Sequence, residues 1–169
     1  MEKTNIFKYL MYSLGGCGGR KLDIAILGDI SRSLKRDDLT TFRKVVIDMI
    51  KRVGVSREGN HFGLITFADK AWLHNFFKNP NYQKKDNLLE LVRDKIKNIA
   101  KNWGTRTDWA LRLASNDLFK TSNGDRKDAD NLLFLFTDGK PYNADKKEPI
   151  NDEGLFQRLS ERLEVSELS

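Results

Sequence analysis

The sequence predicts an α/β domain built on a mostly parallel sheet with one antiparallel strand, and three observations predict it. Short, nearly continuous apolar runs at Leu22 to Leu27, His61 to Ala68 and Asn131 to Phe136 have the character of strands buried on both faces. Between them, apolar residues recur at spacings of three and four, the mark of amphipathic helices crossing from one strand to the next. The chain has 169 residues, 39% of them hydrophobic and 32% charged, enough for one folded domain with a core.

The elements follow in order. After a glycine-rich break at Gly15 to Gly19 comes the first strand, Leu22 to Leu27. Leu39, Phe42, Val45, Val46, Met49, Ile50 and Val53 mark a helix, which the stretch Gly54 to Gly59 ends. "HFGLITFA" is the second strand. Ala71 to Phe77 is a third, reached by a connection too short for a crossover helix and therefore antiparallel, and stopped by Asn79, Pro80 and Asn81. Leu88, Leu89, Val92, Ile96 and Ile99 lie on the next helix. Another starts near Thr107 and carries Ala110, Leu113, Ala114 and Leu118. "NLLFLF" ends in "TDG", and a last helix holds Leu155, Phe156, Leu159 and Leu163.

Charge narrows the partners. The net charge of +6 is scattered over helices with interleaved acids, and no basic stripe carries aromatics, so nucleic acid is not an expected partner. No apolar run approaches the roughly 18 residues of a membrane span. One cysteine, Cys17, excludes an internal disulfide. Residues 1–20 read as an N-terminal leader or linker. Lys8 interrupts the apolar stretch a secretion signal needs, and "LGGC" at Leu14 to Cys17 resembles a lipoprotein box without the run before it.

The chemistry gathers at strand ends. Ligands of open parallel sheets bind beyond the carboxyl ends of the strands. Asp29, Ser31 and Ser33 leave the first strand there, Asp138 and Gly139 leave "NLLFLF", and "WGTRTDWAL" adds Thr105 and Thr107 in a loop led by Gly104. Carboxylates and hydroxyls without nearby His or Cys select a hard cation such as Mg²⁺. Each piece alone also reads as a helix N-cap or an ordinary turn.

Together, D-x-S-x-S after a buried strand, a glycine-led T-x-T before a helix, and an apolar strand ending in T-D-G resemble the von Willebrand factor type A domain and the integrin inserted domain. "GNHFGLITFADKAWLHNFF" is similar to that family's second and third strands, and the likeness runs from about Lys21 to at least Pro141. The resemblance implies an open, doubly wound sheet with helices on both faces, residues 21–169 forming the domain, and a metal-ion-dependent adhesion site. In that site Ser31, Ser33 and Thr105 supply hydroxyls, and Asp29 and Asp138 hold Mg²⁺ or Mn²⁺ directly or through water. Thr107, Gly104 and Gly139 support the loops. It further implies a binding module and not an enzyme, a protein partner that presents an acidic residue, and an extracellular or secreted setting within a larger protein.

Several positions depart from the family pattern. Gly28 replaces an apolar residue, which removes packing at the strand's end, Ile30 and Arg32 stand where small residues are common, and Asp108 follows the second threonine. Arg32 either pairs with Asp29 or Asp138 in competition with metal, or contacts an incoming carboxylate. The family continues beyond the last helix with further strands, so the domain is expected to be incomplete at its C-terminus, a fragment with "NLLFLF" as an uncovered edge. His61 and His74 are assigned structural roles, Trp72, Trp103 and Trp109 to packing, and "DRKDAD" to a solvated loop. Two alternatives stand: a metal-free scaffold domain of the same fold, and a Mg²⁺-dependent phosphohydrolase. The second lacks the acid two residues after Asp29, since position 31 is serine, and neither G-x-S-x-G nor a P-loop occurs.

Overall fold

β1 (Lys21–Asp29) is the centre of a five-stranded sheet, flanked in parallel by β2 (His61–Phe67) and β4 (Ala129–Phe136). The computed structural model describes residues 21–137, 142–143, 148–149 and 164–168. The leader, Asp138, Gly139 and the helix expected around Leu155 to Leu163 lie outside the described residues. β3 (Ala71–Leu73) runs antiparallel to β2, as its short connection demands, but stops four residues sooner than the expected Phe77. Tyr142–Asn143 (β5) and Glu148–Pro149 (β6) form a separate antiparallel pair.

β7 (Glu164–Leu168) pairs with β4 in parallel, which gives the order β3-β2-β1-β4-β7. This corrects the expectation that "NLLFLF" forms an uncovered edge. "EVSEL" has only two apolar residues, Val165 and Leu168, separated by Ser166 and Glu167, so it lacks the continuous apolar run by which the inner strands were recognised.

Alternate residues of β1 face opposite layers. Ile24 and Ile26 join Phe62, Leu64, Leu132 and Phe134 against α1 (Arg36–Val53) and α2 (Lys85–Lys95). Ala25 and Leu27 join Ile65, Phe67, Leu133 and Leu135 against α3 (Thr107–Leu113), which continues as a π turn through Leu118. Helices thus cover both faces. α2 ends at Lys95, so Ile96 and Ile99 pack on the core from beyond the helix and not from its face. Among the described residues no helix is long and apolar enough to cross a membrane.

Gly28 does not leave a packing gap. The Phe42 ring occupies the volume its side chain would need and packs on Phe136 at 4.7 Å between centroids.

At the amino-terminal edge, Arg126 donates from Nε and Nη2 to buried Asp23, from Nη1 to Gly59 O at 2.7 Å, and from its backbone N–H to Asp23 Oδ2 at 2.8 Å. Burial pushes the Asp23 carboxyl up while Arg126 pulls it down. Arg126 is therefore a structural anchor, not part of a solvated run. His61 Nε2 meets Arg57 O at 3.0 Å and His74 Nε2 meets Thr66 Oγ1 at 2.7 Å, so both histidines serve the frame.

Candidate metal site at the carboxyl edge of the sheet

Register brings the strand ends level: Asp29 lies opposite Phe67, and Gly28 opposite Phe136. Asp29 is the last residue of β1 and is 1% exposed. Its Oδ1 accepts the Ser31 N–H at 2.7 Å, which folds the chain back over the carboxylate. Its Oδ2 accepts the Thr137 hydroxyl at 2.8 Å. Thr137 immediately precedes Asp138, so the exits of β1 and β4 are joined at this carboxylate. Ser31 Oγ and Ser33 Oγ lie 2.8 Å apart, the first buried and the second open to solvent.

Neither serine caps a helix. α1 begins at Arg36, and the carboxylate of Asp38 accepts the Lys35 N–H at 3.2 Å.

The third loop is fastened to the same edge. Ala100 N–H donates to Ile30 O and Arg106 N–H to Ala68 O, each at 2.7 Å. Gly104 has φ +142°, and a Cβ there would lie 2.8 Å from the Asp69 Cα, so the position demands glycine. Thr105 is buried and exchanges both backbone hydrogen bonds with Tyr142, at 2.9 and 3.0 Å. The segment after "TDG" therefore returns to hold the threonine loop. Thr107 is the first residue of α3 and 2% exposed, and its Oγ1 has no hydrogen-bond partner among the described residues. No side chain caps α3, so the threonines are not spent on capping either.

Two departures from the family pattern resolve geometrically. Arg32 lies over the Trp103 ring, 4.7 Å from its centroid, with Nη1 donating to Lys101 O at 3.3 Å. Of the two alternatives for Arg32, pairing with Asp29 does not occur among the described residues, and Asp138 lies outside them. Trp103 is 62% exposed, with Trp72 and Trp109 also substantially exposed, which corrects their assignment to packing. Asp108 takes Arg106 bidentately at 2.8 and 2.7 Å, and that guanidinium lies 3.9 Å from the Trp109 centroid.

The donor set fits a hard cation. One buried carboxylate and several hydroxyls line the edge, and no cluster of three or more His, Cys, Asp or Glu occurs among the described residues. A buried hydroxyl with no partner among the described residues, such as Thr107 Oγ1, suits an edge built for a polar ligand. Sequence reasoning missed Thr137 and Tyr142. The first had a signal, a hydroxyl residue one position before the candidate aspartate; the second had none, because strand pairing between loops leaves no local pattern.

The sequence matches the von Willebrand factor type A domain family over residues 23–153. This chain belongs to that family. Rat von Willebrand factor (Rattus norvegicus) is 28% identical over 122 residues, which cover 71% of this chain and 27% of the rat protein. The chain thus spans about a quarter of that relative. Among solved structures, proximal thread matrix protein 1 from the mussel byssus, with a zinc-occupied MIDAS motif, superposes with a TM-score of 0.70 at 17% identity, over 88% of this chain and 37% of that one. Manganese-loaded TRAP protein of Plasmodium vivax gives 0.72 at 20% identity, over 88% of this chain and 57% of that one. At these identities the likeness establishes the fold of this von Willebrand factor A domain.

Proposed function

We propose that this von Willebrand factor A domain is a divalent-metal-dependent protein-binding module of the adhesive kind, working outside the cell within a larger protein. Asp29, Ser31, Ser33, Thr105 and Asp138 hold Mg²⁺ or Mn²⁺, with Thr107, Gly104 and Gly139 shaping the loops. When bound, the ion supplies a hard acceptor position for a carboxylate of the partner. Two aspartates offset its charge and the hydroxyls add donors without adding charge.

The observation that carries this reading is the junction at Asp29. Its carboxylate ties together the exits of two strands, beside serine and threonine hydroxyls that cap no helix. The metal-bound states named for the mussel and Plasmodium proteins are consistent with it. The scaffold alternative requires a guanidinium in place of the cation, and Arg32 is instead engaged with Trp103.

Calorimetric titration of Mn²⁺ into the wild type and Asp138→Ala tests the proposal. One ion bound by the wild type and a severe loss in the variant is the expected result. Equal binding in both, or none in the wild type, would overturn it. Hydrolysis of a generic phosphate ester that is lost in Asp29→Asn would instead favour the enzyme alternative.

A further inference from the structure

We infer that Arg32 and Trp103 form a second recognition element beside the proposed metal site, one that selects a partner polypeptide carrying several acidic residues close together. The inference rests on the metal-binding reading, which places the first of those acids.

The two residues come from different connections and meet at the rim. Arg32 stands between Ser31 and Ser33, and Trp103 immediately precedes Gly104 and Thr105. The loops are joined by the Ala100 to Ile30 hydrogen bond at 2.7 Å. Trp103 leaves a large ring 62% exposed, and the group laid on it is a cation. A guanidinium attracted to an indole face still has N–H donors with which to meet a planar carboxylate. Only the 3.3 Å contact to Lys101 O draws on those donors among the described residues.

The two connections themselves carry only basic charge, with the Asp69 carboxylate beside them accepting the Asn102 side-chain N–H at 2.9 Å. Residues 30–36 and 95–107 contain seven lysines and arginines and no aspartate or glutamate. Lys95 is paired with Asp94 and Arg106 with Asp108; Arg32, Lys35 and Lys101 are exposed and have no carboxylate partner among the described residues. A partner with a single acid would answer the ion and leave this rim unanswered. Alternate side chains of an extended peptide are roughly 6–7 Å apart, a step suited to a position flanked in sequence by two metal-site serines. The exposed indole can also cover the methylene stems of such a peptide.

The test uses the full chain in Mn²⁺ and two labelled Gly-Ser octapeptides, one with a single aspartate and one with three on alternate positions, read by fluorescence anisotropy. The three-acid peptide should bind on the order of tenfold more tightly. Arg32→Gln should collapse that ratio toward one while the Mn²⁺ isotherm persists. Trp103→Ala should lower the ratio, and Trp103→Tyr should retain it. Mn²⁺ binding with an unchanged ratio in Arg32→Gln would overturn this inference alone. So would Arg32-dependent displacement of the three-acid peptide by a heparin hexasaccharide of higher affinity, which would assign the rim to a sulfated glycan. No Mn²⁺ binding in the wild type would overturn the metal-site reading itself, and this inference with it.

Discussion

Gly28 has no side chain because the Phe42 ring already fills the space a methyl group would take. Gly28→Ala must push that ring off Phe136, and overpacking of this kind costs about 1–3 kcal/mol. Urea unfolding should show the loss, and Gly28→Ala with Phe42→Leu should recover part of it. Thr137 is the second informative residue. Thr137→Val keeps the volume but removes the hydrogen on Asp29 Oδ2, so a carboxylate built into the site loses its orientation. Partners of this kind commonly change metal affinity by about 10- to 100-fold. Calorimetry with Mn²⁺ should show a loss of that order in Thr137→Val and near-normal binding in Thr137→Ser. The sequence made the oxygens of Asp29, Ser31, Ser33 and Thr105 legible, because residue type and order carry them. It could not place the Arg32 guanidinium. The choice between Asp29 and Trp103 depends on a ring delivered from seventy-one positions further along the chain.

Strands were legible wherever both faces are buried, and the elements that escaped notice are held by polar contacts. The Arg126 loop is the clearest case. "DRKDAD" has the composition of a solvated loop, yet Arg126 fastens it to Asp23 of β1 and to Gly59 ahead of β2. Arg126→Met leaves a buried carboxylate unpaired, and breaking such a pair costs about 3–5 kcal/mol. The chemical midpoint should fall accordingly, with partial recovery in Arg126→Met combined with Asp23→Asn. The segment after β3 makes a different prediction. Burial, with the Lys95 charge adding to it, lowers the pKa of His74 from 6.5 to about 4. The unfolded chain takes up a proton below pH 6.5 that the folded protein refuses until about pH 4, so this group withdraws stability as pH falls through that window. The slope approaches about 1.4 kcal/mol per pH unit. His74→Gln should flatten the decline between pH 7 and pH 4.5 when urea midpoints of the two proteins are compared.

Across the whole molecule, the parallel sheet delivers distant pieces of chain to one edge and the core holds them there. Loops after β1 and before α3 are joined by Ile30 and Ala100, and the segment after β4 closes on Thr105 through Tyr142. None of these connections forms the proposed site alone. An ion bound there would therefore recognise the folded chain and have little affinity for the unfolded one, which is the condition for a ligand to raise stability by mass action. At a free concentration one hundred times the dissociation constant, the gain is about 2.7 kcal/mol. For a chain of this length each kcal/mol moves the melting temperature by roughly 2–4 °C, so Mg²⁺ or Mn²⁺ should raise it by about 5–10 °C. Chelation should reverse the shift, and Asp138→Ala should abolish it without changing the metal-free melting temperature by a comparable amount. A shift that survives in that variant would mean the ion stabilises the protein from elsewhere. A shift absent from both would mean that the sheet brings these oxygens together without making them a metal site.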